Sequence, residues 1–147
     1  MKSDNILKKS SKEYFHKICV VGGGLTGAIM TLLLKKSNLF KSHEIGWIKP
    51  KIRDSKDIRT TFYNKKSLDL LHSLDVLKNF DIADYAFIKK IQVFRVNNSS
   101  PLEWDYSDPK LNFGAVIKND IILKSVTKQL SDIKHYESFV TNTQHDE

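Results

Sequence analysis

The sequence predicts an α/β fold that begins with a parallel-stranded half built around a glycine-rich turn and continues into a β-rich half. Three observations support this prediction. Residues 16–21 form a short β-branched run that ends at three glycines, residues 28–36 are apolar and rich in helix formers, and residues 44–48 are extended and stop before Pro50. Strand, turn, helix and strand in this order form a βαβ unit, in which the two strands run parallel.

The composition fits one folded domain, or part of a larger one. The chain has 147 residues, of which 40% are hydrophobic and 28% charged, and this balance supports a buried core. The longest apolar run, at residues 28–34, is shorter than the ~20 residues that a membrane span needs. The single cysteine, Cys19, excludes an intrachain disulfide, and no Cys/His spacing resembles a zinc site, so we expect no bound metal. Because Cys19 lies in the first predicted strand, we expect it in the core.

The net charge of +7 is in part a property of the N-terminus. Residues 1–17 carry five lysines against two acids, and the remaining 130 residues carry a net charge of only +4. Most basic residues are lysines, whereas surfaces that recognise nucleic-acid sequences favour arginine. We therefore predict a polar basic tail over residues 1–16 and no nucleic-acid partner. No apolar stretch follows the lysines of this tail, so we expect a cytoplasmic protein without an export signal, and peripheral contact with a membrane stays open.

Local patterns predict further elements along the rest of the chain. A charged loop is expected at residues 51–57, and apolar residues at helical spacing predict a helix at 67–74 that continues irregularly to residue 80. Extended runs predict strands at 88–96, 102–106, 113–117 and 136–140, the first two forming a hairpin around a turn at residues 97–100. Asn119 is expected to cap a helix over residues 120–130, since an asparagine side chain accepts from the first free backbone N–H groups.

The glycine pattern Gly22-x-Gly24-x-x-Gly27 is the feature that carries chemistry. It stands between a β-branched strand and an apolar helix, which is the context of a Rossmann-like dinucleotide site. Gly22 allows the tight turn, Gly24 leaves room for a pyrophosphate, and Gly27 lets the helix pack closely on the strand. The start of the helix then offers free backbone N–H groups to the phosphates. The alternative is a glycine-rich turn that binds no ligand.

The residue at the end of the second strand departs from this pattern. Dinucleotide-binding folds place an acid there, about 20 residues after the glycines, and it accepts hydrogen bonds from ribose hydroxyls. This chain has Lys49 at that position. A lysine cannot accept a hydrogen bond, although it can pair with a 2′-phosphate, so NADP stays open as a ligand. Otherwise Lys49 is a solvated strand end and affinity for ribose is reduced.

Beyond the glycine turn, the chain resembles the flavin-dependent aromatic hydroxylases. Residues 18–27, then Asp57-Ile58-Arg59 with the helix at 67–74, and then the segment at 114–119 that opens another helix recur in this order in that family. The branch that it resembles hydroxylates ubiquinone precursors and is related to para-hydroxybenzoate hydroxylase. The resemblance extends over residues 17–140.

This resemblance implies specific roles for individual residues. The pyrophosphate of FAD would lie over the glycine turn, and Arg59 would lie against the flavin side of the cofactor. In the family, NAD(P)H reduces FAD, and the flavin then hydroxylates an electron-rich ring, here an aromatic or polyprenylated quinone precursor. The cofactor-binding residues implied are Gly22, Gly24, Leu25, Thr26, Gly27, Lys49 and Arg59.

Two lysines and the length of the chain depart from the family. Lys49 replaces the ribose acid, and Lys118 replaces the usual acid before Asn119. The family's later Gly-Asp segment, which holds the ribityl-phosphate part of FAD, does not occur in this sequence. Residues 17–147, with a hairpin insertion near residues 88–106, are therefore expected to be the N-terminal portion of such an enzyme, with a missing C-terminal half as a partner. No catalytic residue can be named within it, and we expect the chain to be inactive alone.

Two other functions remain open at this point. An NAD(P)-binding module of the dehydrogenase type would also explain the glycine pattern and would use Lys49. However, such a domain continues to alternate strands and helices, whereas residues 88–106 predict a hairpin. The third possibility is a non-catalytic remnant, which the two lysine departures favour.

Overall fold

A computed structural model describes residues 15–50, 57–94, 100–108 and 110–140. The predicted tail up to residue 14, most of the predicted loop at 51–57 and most of the predicted turn at 97–100 lie outside the described residues. In chain order the elements are β1 (Ile18–Val21), α1 (Leu25–Lys36), β2 (Ile45–Ile48), β3 (Thr60–Asn64), α2 (Lys65–Ser73), β4 (Ala86–Ile88), β5 (Lys90–Val93), β6 (Leu102–Asp105), β7 (Gly114–Lys118), α3 (Asn119–Gln129) and β8 (Lys134–Tyr136).

The first sheet is parallel and confirms the predicted βαβ unit. Its strand order is β1-β2-β8, and both pairings are parallel, with Val20 opposite Trp47. Helix α1 connects β1 to β2 and packs against α3. Leu32 of α1, Trp47 of β2 and Val126 of α3 are fully or almost fully buried in one apolar cluster. This cluster fixes the position of α1, and therefore of the glycine turn that precedes it.

The second half is β-rich, as predicted. Strands β3 and β4 both pair antiparallel with β7, so the sheet order is β3-β7-β4. Strands β5 and β6 form the predicted hairpin as a separate antiparallel pair. Helix α2 packs against β3 and β7. Its start is capped by Asn64, whose side chain accepts from the backbone N–H of Ser67.

Several predicted boundaries differ from the structure. The predicted strand at 88–96 is divided into β4 and β5, and the last strand lies at Lys134–Tyr136 rather than at 136–140. Strand β3 was not predicted at all, because its five residues follow a charged segment and its partner β7 lies about fifty residues later. None of the described helices is both long and apolar enough to span a bilayer.

The prediction that Asn119 caps α3 is wrong. Asn119 is the first residue of the helix, the cap position belongs to Lys118, and no side chain closes this end. The Asn119 side chain is turned instead towards β3, where its Oδ1 accepts from the Thr61 hydroxyl at 2.7 Å. A tertiary hydrogen bond has therefore replaced the local one that the sequence favours.

The prediction that Cys19 lies in the core is also wrong, since Cys19 is exposed. Strand β1 is at the edge of its sheet, and its side chains alternate, so that Ile18 and Val20 pack against the core while Cys19 does not. Cys19 lies above Gly46, where an added Cβ would come within 2.9 Å of its sulfur.

Candidate functional site

The glycine turn is held against the end of the parallel sheet. Gly22 has a φ of +137°, and its N–H donates to the carbonyl of Ile48 at 2.8 Å. The indole N–H of Trp47 donates to the carbonyl of Gly22 at 2.8 Å. A side chain at Gly27 would place its Cβ 2.2 Å from the same carbonyl oxygen, so that only glycine fits there. The turn therefore brings α1 as close to β1 as the backbone permits, which is the arrangement predicted for Gly22 and Gly27.

Open space lies over the middle of the turn. A Cβ added at Gly24 would meet no atom within 4 Å, and Gly24 is the cap residue of α1. No side chain caps this helix, and no acidic residue stands in its first turn. The start of α1 therefore presents backbone N–H groups and the positive end of the helix dipole to a region that an anion can enter. Thr26 is exposed and Leu25 is half-buried beside it.

A cavity of about 1040 Å³ adjoins this turn and extends along α3. Its volume is large enough for a nucleotide cofactor. The residues that line it come from the turn, from the segment before β3, and from one side of α3: Gly23, Gly24, Leu25, Asp57, Ile58, Arg59, Asn119, Asp120, Leu123, Lys124, Thr127 and Lys128.

Of the seven predicted cofactor residues, three line the cavity and four do not. Gly24, Leu25 and Arg59 line it together. Gly22 and Gly27 are not part of the lining but determine the shape of the turn, and Thr26 is exposed outside the lining. Lys49 is not in the lining either.

Arg59 carries its own counterion at the cavity wall. Its Nε and Nη2 donate to the two carboxylate oxygens of Asp57 at 2.8 and 2.9 Å, and its backbone N–H donates to the same carboxylate. The hydrogen bonds from Arg59 hold the pKa of the Asp57 carboxyl below its ordinary value. The Arg59 side chain is 79% exposed. A cofactor that contacts Arg59 would therefore meet a neutral, solvated ion pair rather than a free cation.

Lys49 lies directly against the glycine turn, but its ammonium group does not face the cavity. An added Cβ at Gly23 would stand 3.0 Å from the Lys49 Cβ. The Lys49 Nζ is 4.4 Å from the centre of the Trp47 ring, which is the distance of a cation–π contact. The Lys49 side chain therefore offers no acceptor to ribose hydroxyls.

The start of α3 contributes two polar residues that the sequence analysis did not assign to the site. Asn119 is 8% exposed and lines the cavity. Asp120 follows it, with Oδ2 at 3.5 Å from Lys124 Nζ and with Oδ1 buried and without a hydrogen-bond partner among the described residues. The only sequence signal was the four-residue spacing of Asp120, Lys124 and Lys128, which places them on one side of a helix. Which side faces the cavity depends on the packing of α3 on α1.

The described part of the chain shows no cluster suited to a metal ion. Groups of three or more His, Cys, Asp or Glu side chains close enough to hold one are absent from it.

Among known proteins, the chain is similar to several monooxygenases in sequence or in fold. No protein-family model matches the chain. A relative from Drosophila melanogaster, ubiquinone biosynthesis monooxygenase COQ6, mitochondrial, is 25% identical over 126 residues, which cover 81% of this chain and 26% of the relative. The chain thus spans about a quarter of the length of this relative.

Solved structures share the fold at lower identity. p-Nitrophenol 4-monooxygenase PnpA from Pseudomonas putida DLL-E4 has a TM-score of 0.59 and 15% identity, covering 83% of this chain and 31% of that one. PqsL from Pseudomonas aeruginosa, a probable FAD-dependent monooxygenase, has a TM-score of 0.63 and 12% identity, covering 88% and 35%. The flavin-dependent brominase Bmp2 has a TM-score of 0.61 and 13% identity, covering 90% and 31%. These structures confirm the predicted α/β fold, and the similarity in sequence to the ubiquinone biosynthesis monooxygenase supports the resemblance to the flavin-dependent aromatic hydroxylases.

Proposed function

We propose that this chain is the N-terminal, FAD-binding portion of a monooxygenase that hydroxylates an aromatic ring, with a ubiquinone precursor as substrate. The observation that carries the proposal is the open, uncapped start of α1 at Gly24, which faces a cavity large enough for a nucleotide. The sequence similarity to the ubiquinone biosynthesis monooxygenase supports the substrate class, because that relative's name states its pathway.

The residues of the turn fit the pyrophosphate of FAD. Backbone N–H groups at Gly24, Leu25 and Thr26 would hold the phosphates, and Gly22 and Gly27 would keep the turn in place. Arg59 would lie on the flavin side. FAD supplies the oxygen-transfer chemistry when it is bound, with NAD(P)H as its reductant. The protein itself would position the cofactor and keep water away from it.

The ribose end of the site fits less well, because Lys49 stands where an acceptor is expected. Each charge-assisted hydrogen bond that is lost costs about 1.5–3 kcal/mol, or roughly tenfold to a hundredfold in affinity. We therefore propose that the isolated chain binds FAD weakly and is inactive alone, and that activity needs the portion of the relatives that this chain does not span. Residence in the cytoplasm, with or without contact with a membrane surface, remains a prediction.

An NAD(P)-binding dehydrogenase module is the alternative, and the fold supports it less. After β2 the chain forms the antiparallel sheet β3-β7-β4 and the β5-β6 hairpin instead of continuing the alternation of parallel strands and helices. The Lys49 ammonium also lies over Trp47 rather than in the cavity. A non-catalytic remnant would lack measurable affinity for any of the nucleotides.

Substitution of Lys49 distinguishes these functions. We expect Lys49→Glu to strengthen binding of ADP and FAD about tenfold, because a carboxylate there can accept from ribose hydroxyls, and we expect no clear preference between NAD and NADP. Calorimetric titration of both proteins with ADP, FAD, NAD and NADP measures this. Lys66→Glu on the exposed side of α2 is the matched control, since it makes the same change of charge away from the cavity. A strong preference of the unsubstituted chain for NADP, abolished by Lys49→Glu, would contradict the flavin assignment.

A further inference from the structure

Two helices begin at the same cavity, and their first turns differ in charge. Gly24 and Leu25 at the start of α1 and Asn119 and Asp120 at the start of α3 all line it. Neither helix is capped by a side chain, but α1 has no acid in its first turn whereas α3 has Asp120. The start of α1 therefore favours a phosphate, while a carboxylate at the start of α3 repels one and favours a neutral donor such as a hydroxyl group.

Asn119 offers a hydrogen-bond donor at the second helix start. The residue is more than nine-tenths buried, and its Oδ1 already accepts from Thr61 at 2.7 Å. This hydrogen bond leaves Nδ2 as a donor, and no other hydrogen bond joins the Asn119 side chain to a described residue. Because Asn119 lines the cavity, this donor is available to an oxygen atom of a ligand or of water there.

Asp120 has unused capacity to accept hydrogen bonds. Its Oδ1 is inaccessible and has no partner within the described ranges, and its Oδ2 has only the contact of 3.5 Å with Lys124. A carboxylate can accept about four hydrogen bonds. The side chain is 18% exposed and lines the cavity. Because Oδ1 is inaccessible, Oδ2 is the oxygen to which a ligand in the cavity can donate. A hydroxyl group there would form a short hydrogen bond with a carboxylate that now has only one long contact.

The other acid of the described cavity wall and the Lys49 ammonium are already engaged. Both oxygens of Asp57, the other acid in the cavity lining, are occupied by Arg59. The Lys49 ammonium lies over Trp47. Asp120 is therefore the carboxylate of the described cavity wall that remains available to a ligand.

We propose that Asp120 accepts hydrogen bonds from the vicinal hydroxyl groups of the flavin nucleotide and so compensates in part for the acceptor that is missing at the end of β2. Asn119 Nδ2 donates to the same polyol. The inference rests on the proposed function and adds a binding residue to its site. The hydroxyl groups belong either to the ribose of the adenosine end or to the ribityl chain, and both present the same chemistry.

The test compares Asp120→Asn with the unsubstituted chain in equilibrium dialysis against FAD, ADP and flavin mononucleotide. Asp69→Asn, in the exposed part of α2, is the matched control for loss of a helical carboxylate. We expect Asp120→Asn to bind FAD at least tenfold more weakly and Asp69→Asn to bind it unchanged. A parallel loss for ADP assigns the ribose hydroxyls, and a parallel loss for flavin mononucleotide assigns the ribityl hydroxyls; either result supports the proposal.

A second measurement separates a binding role from a structural one. The thermal midpoint of the ligand-free Asp120→Asn protein should fall by no more than a few degrees, because the substitution removes only the favourable interaction of a carboxylate with the start of α3 and the exposed contact with Lys124. A loss of about ten degrees or more would mean that Asp120 supports the fold and would overturn the proposal. Unchanged affinity of Asp120→Asn for all three ligands would overturn it while leaving the proposed function intact. Absence of saturable FAD binding by the unsubstituted chain would overturn both.

Discussion

At the scale of single residues, two glycines three positions apart have different roles. Gly27 is required by the protein itself, because a Cβ there would lie 2.2 Å from the carbonyl oxygen of Gly22. Gly24 is not required by the fold, since it has an ordinary negative φ and open space around it. Glycine is a common cap residue, and its lack of a side chain also leaves room for a ligand to approach the backbone at that point.

Substitution by alanine should separate these two roles. We expect Gly27→Ala to lower the free energy of unfolding by about 1–3 kcal/mol, because neither backbone can move away without disturbing the helix or the strand. Gly24→Ala should change it by less than about 1 kcal/mol and yet weaken binding of ADP at least tenfold, since the methyl group occupies the path of the phosphates. Urea unfolding and calorimetric titration measure the two effects. Equal stability of the two variants would show that the close contact at Gly27 relaxes without cost.

At the scale of elements, Asp132 connects three segments of the parallel half. It follows α3, accepts from Lys35 near the end of α1, and accepts from the Ser42 hydroxyl before β2 at 2.7 Å. The hydrogen bond from Lys35, followed by that from Ser42, holds the pKa of the Asp132 carboxyl below its ordinary value. The side chain is 48% exposed, so solvent screening limits the gain to less than about 1 kcal/mol.

The lowered pKa of Asp132 determines how the stability of the fold depends on pH. A carboxyl group whose pKa is lower in the folded state stabilises the protein above its unfolded pKa, near 3.9 for aspartate, and loses this contribution as the pH falls through the folded pKa. We expect Asp132→Asn to be slightly less stable than the unsubstituted chain at pH 7 and to lose less stability between about pH 5 and pH 3. Thermal unfolding across this range, with Asp69→Asn as control, measures it. Parallel pH curves for all three proteins would show that the contacts of Asp132 do not stabilise the fold.

The elements also show which parts of the structure local sequence determines. β1, α1 and β2 were predicted because each is a continuous apolar run bounded by glycine, lysine or proline, so that sequence neighbours alone define them. β3 and the role of Asn119 were not, because both depend on a partner that is distant in sequence, β7 for the strand and Thr61 for the amide. Cys19 was wrongly predicted to lie in the core for a related reason. Whether one face of a strand is buried depends on the elements that pack on the whole sheet.

The same distinction applies to the candidate site. The glycine turn and the lysine at the end of β2 could be identified from spacing, because strand, turn and helix are consecutive. The opposite wall, with Asp120 and Lys124, could not be identified, since it is brought to the turn by the packing of α3 on α1. Arg59 was assigned to the site through the family resemblance alone. Its ion pair with Asp57 joins residues only two positions apart in the sequence.

At the scale of the whole molecule, the site is formed by one parallel sheet and two helices that belong to a larger architecture in the relatives. The chain covers about a third of the solved structures that share its fold. The cavity is bounded by the turn, the segment before β3 and α3.

The purified chain should therefore carry little flavin. We expect less than a stoichiometric amount of bound FAD after purification, because the pyrophosphate end of the site is formed while the strand end lacks its acceptor. Absorbance at flavin wavelengths, divided by protein concentration, measures this. A stoichiometric yellow protein would contradict the prediction and would show that the described residues suffice for tight binding.

The hydrogen bond from Trp47 to the turn makes this site visible by fluorescence. The chain has two tryptophans, of which Trp47 is 2% exposed and Trp104 on β6 is 45% exposed. Replacing Trp104 by phenylalanine would leave Trp47 as the only tryptophan. Its indole N–H donates to the Gly22 carbonyl, and the Lys49 ammonium lies over its ring. Its emission should be blue-shifted and protected from iodide quenching, and any phosphate that moves the turn should change its intensity. The protein thus contains its own optical reporter of ligand binding.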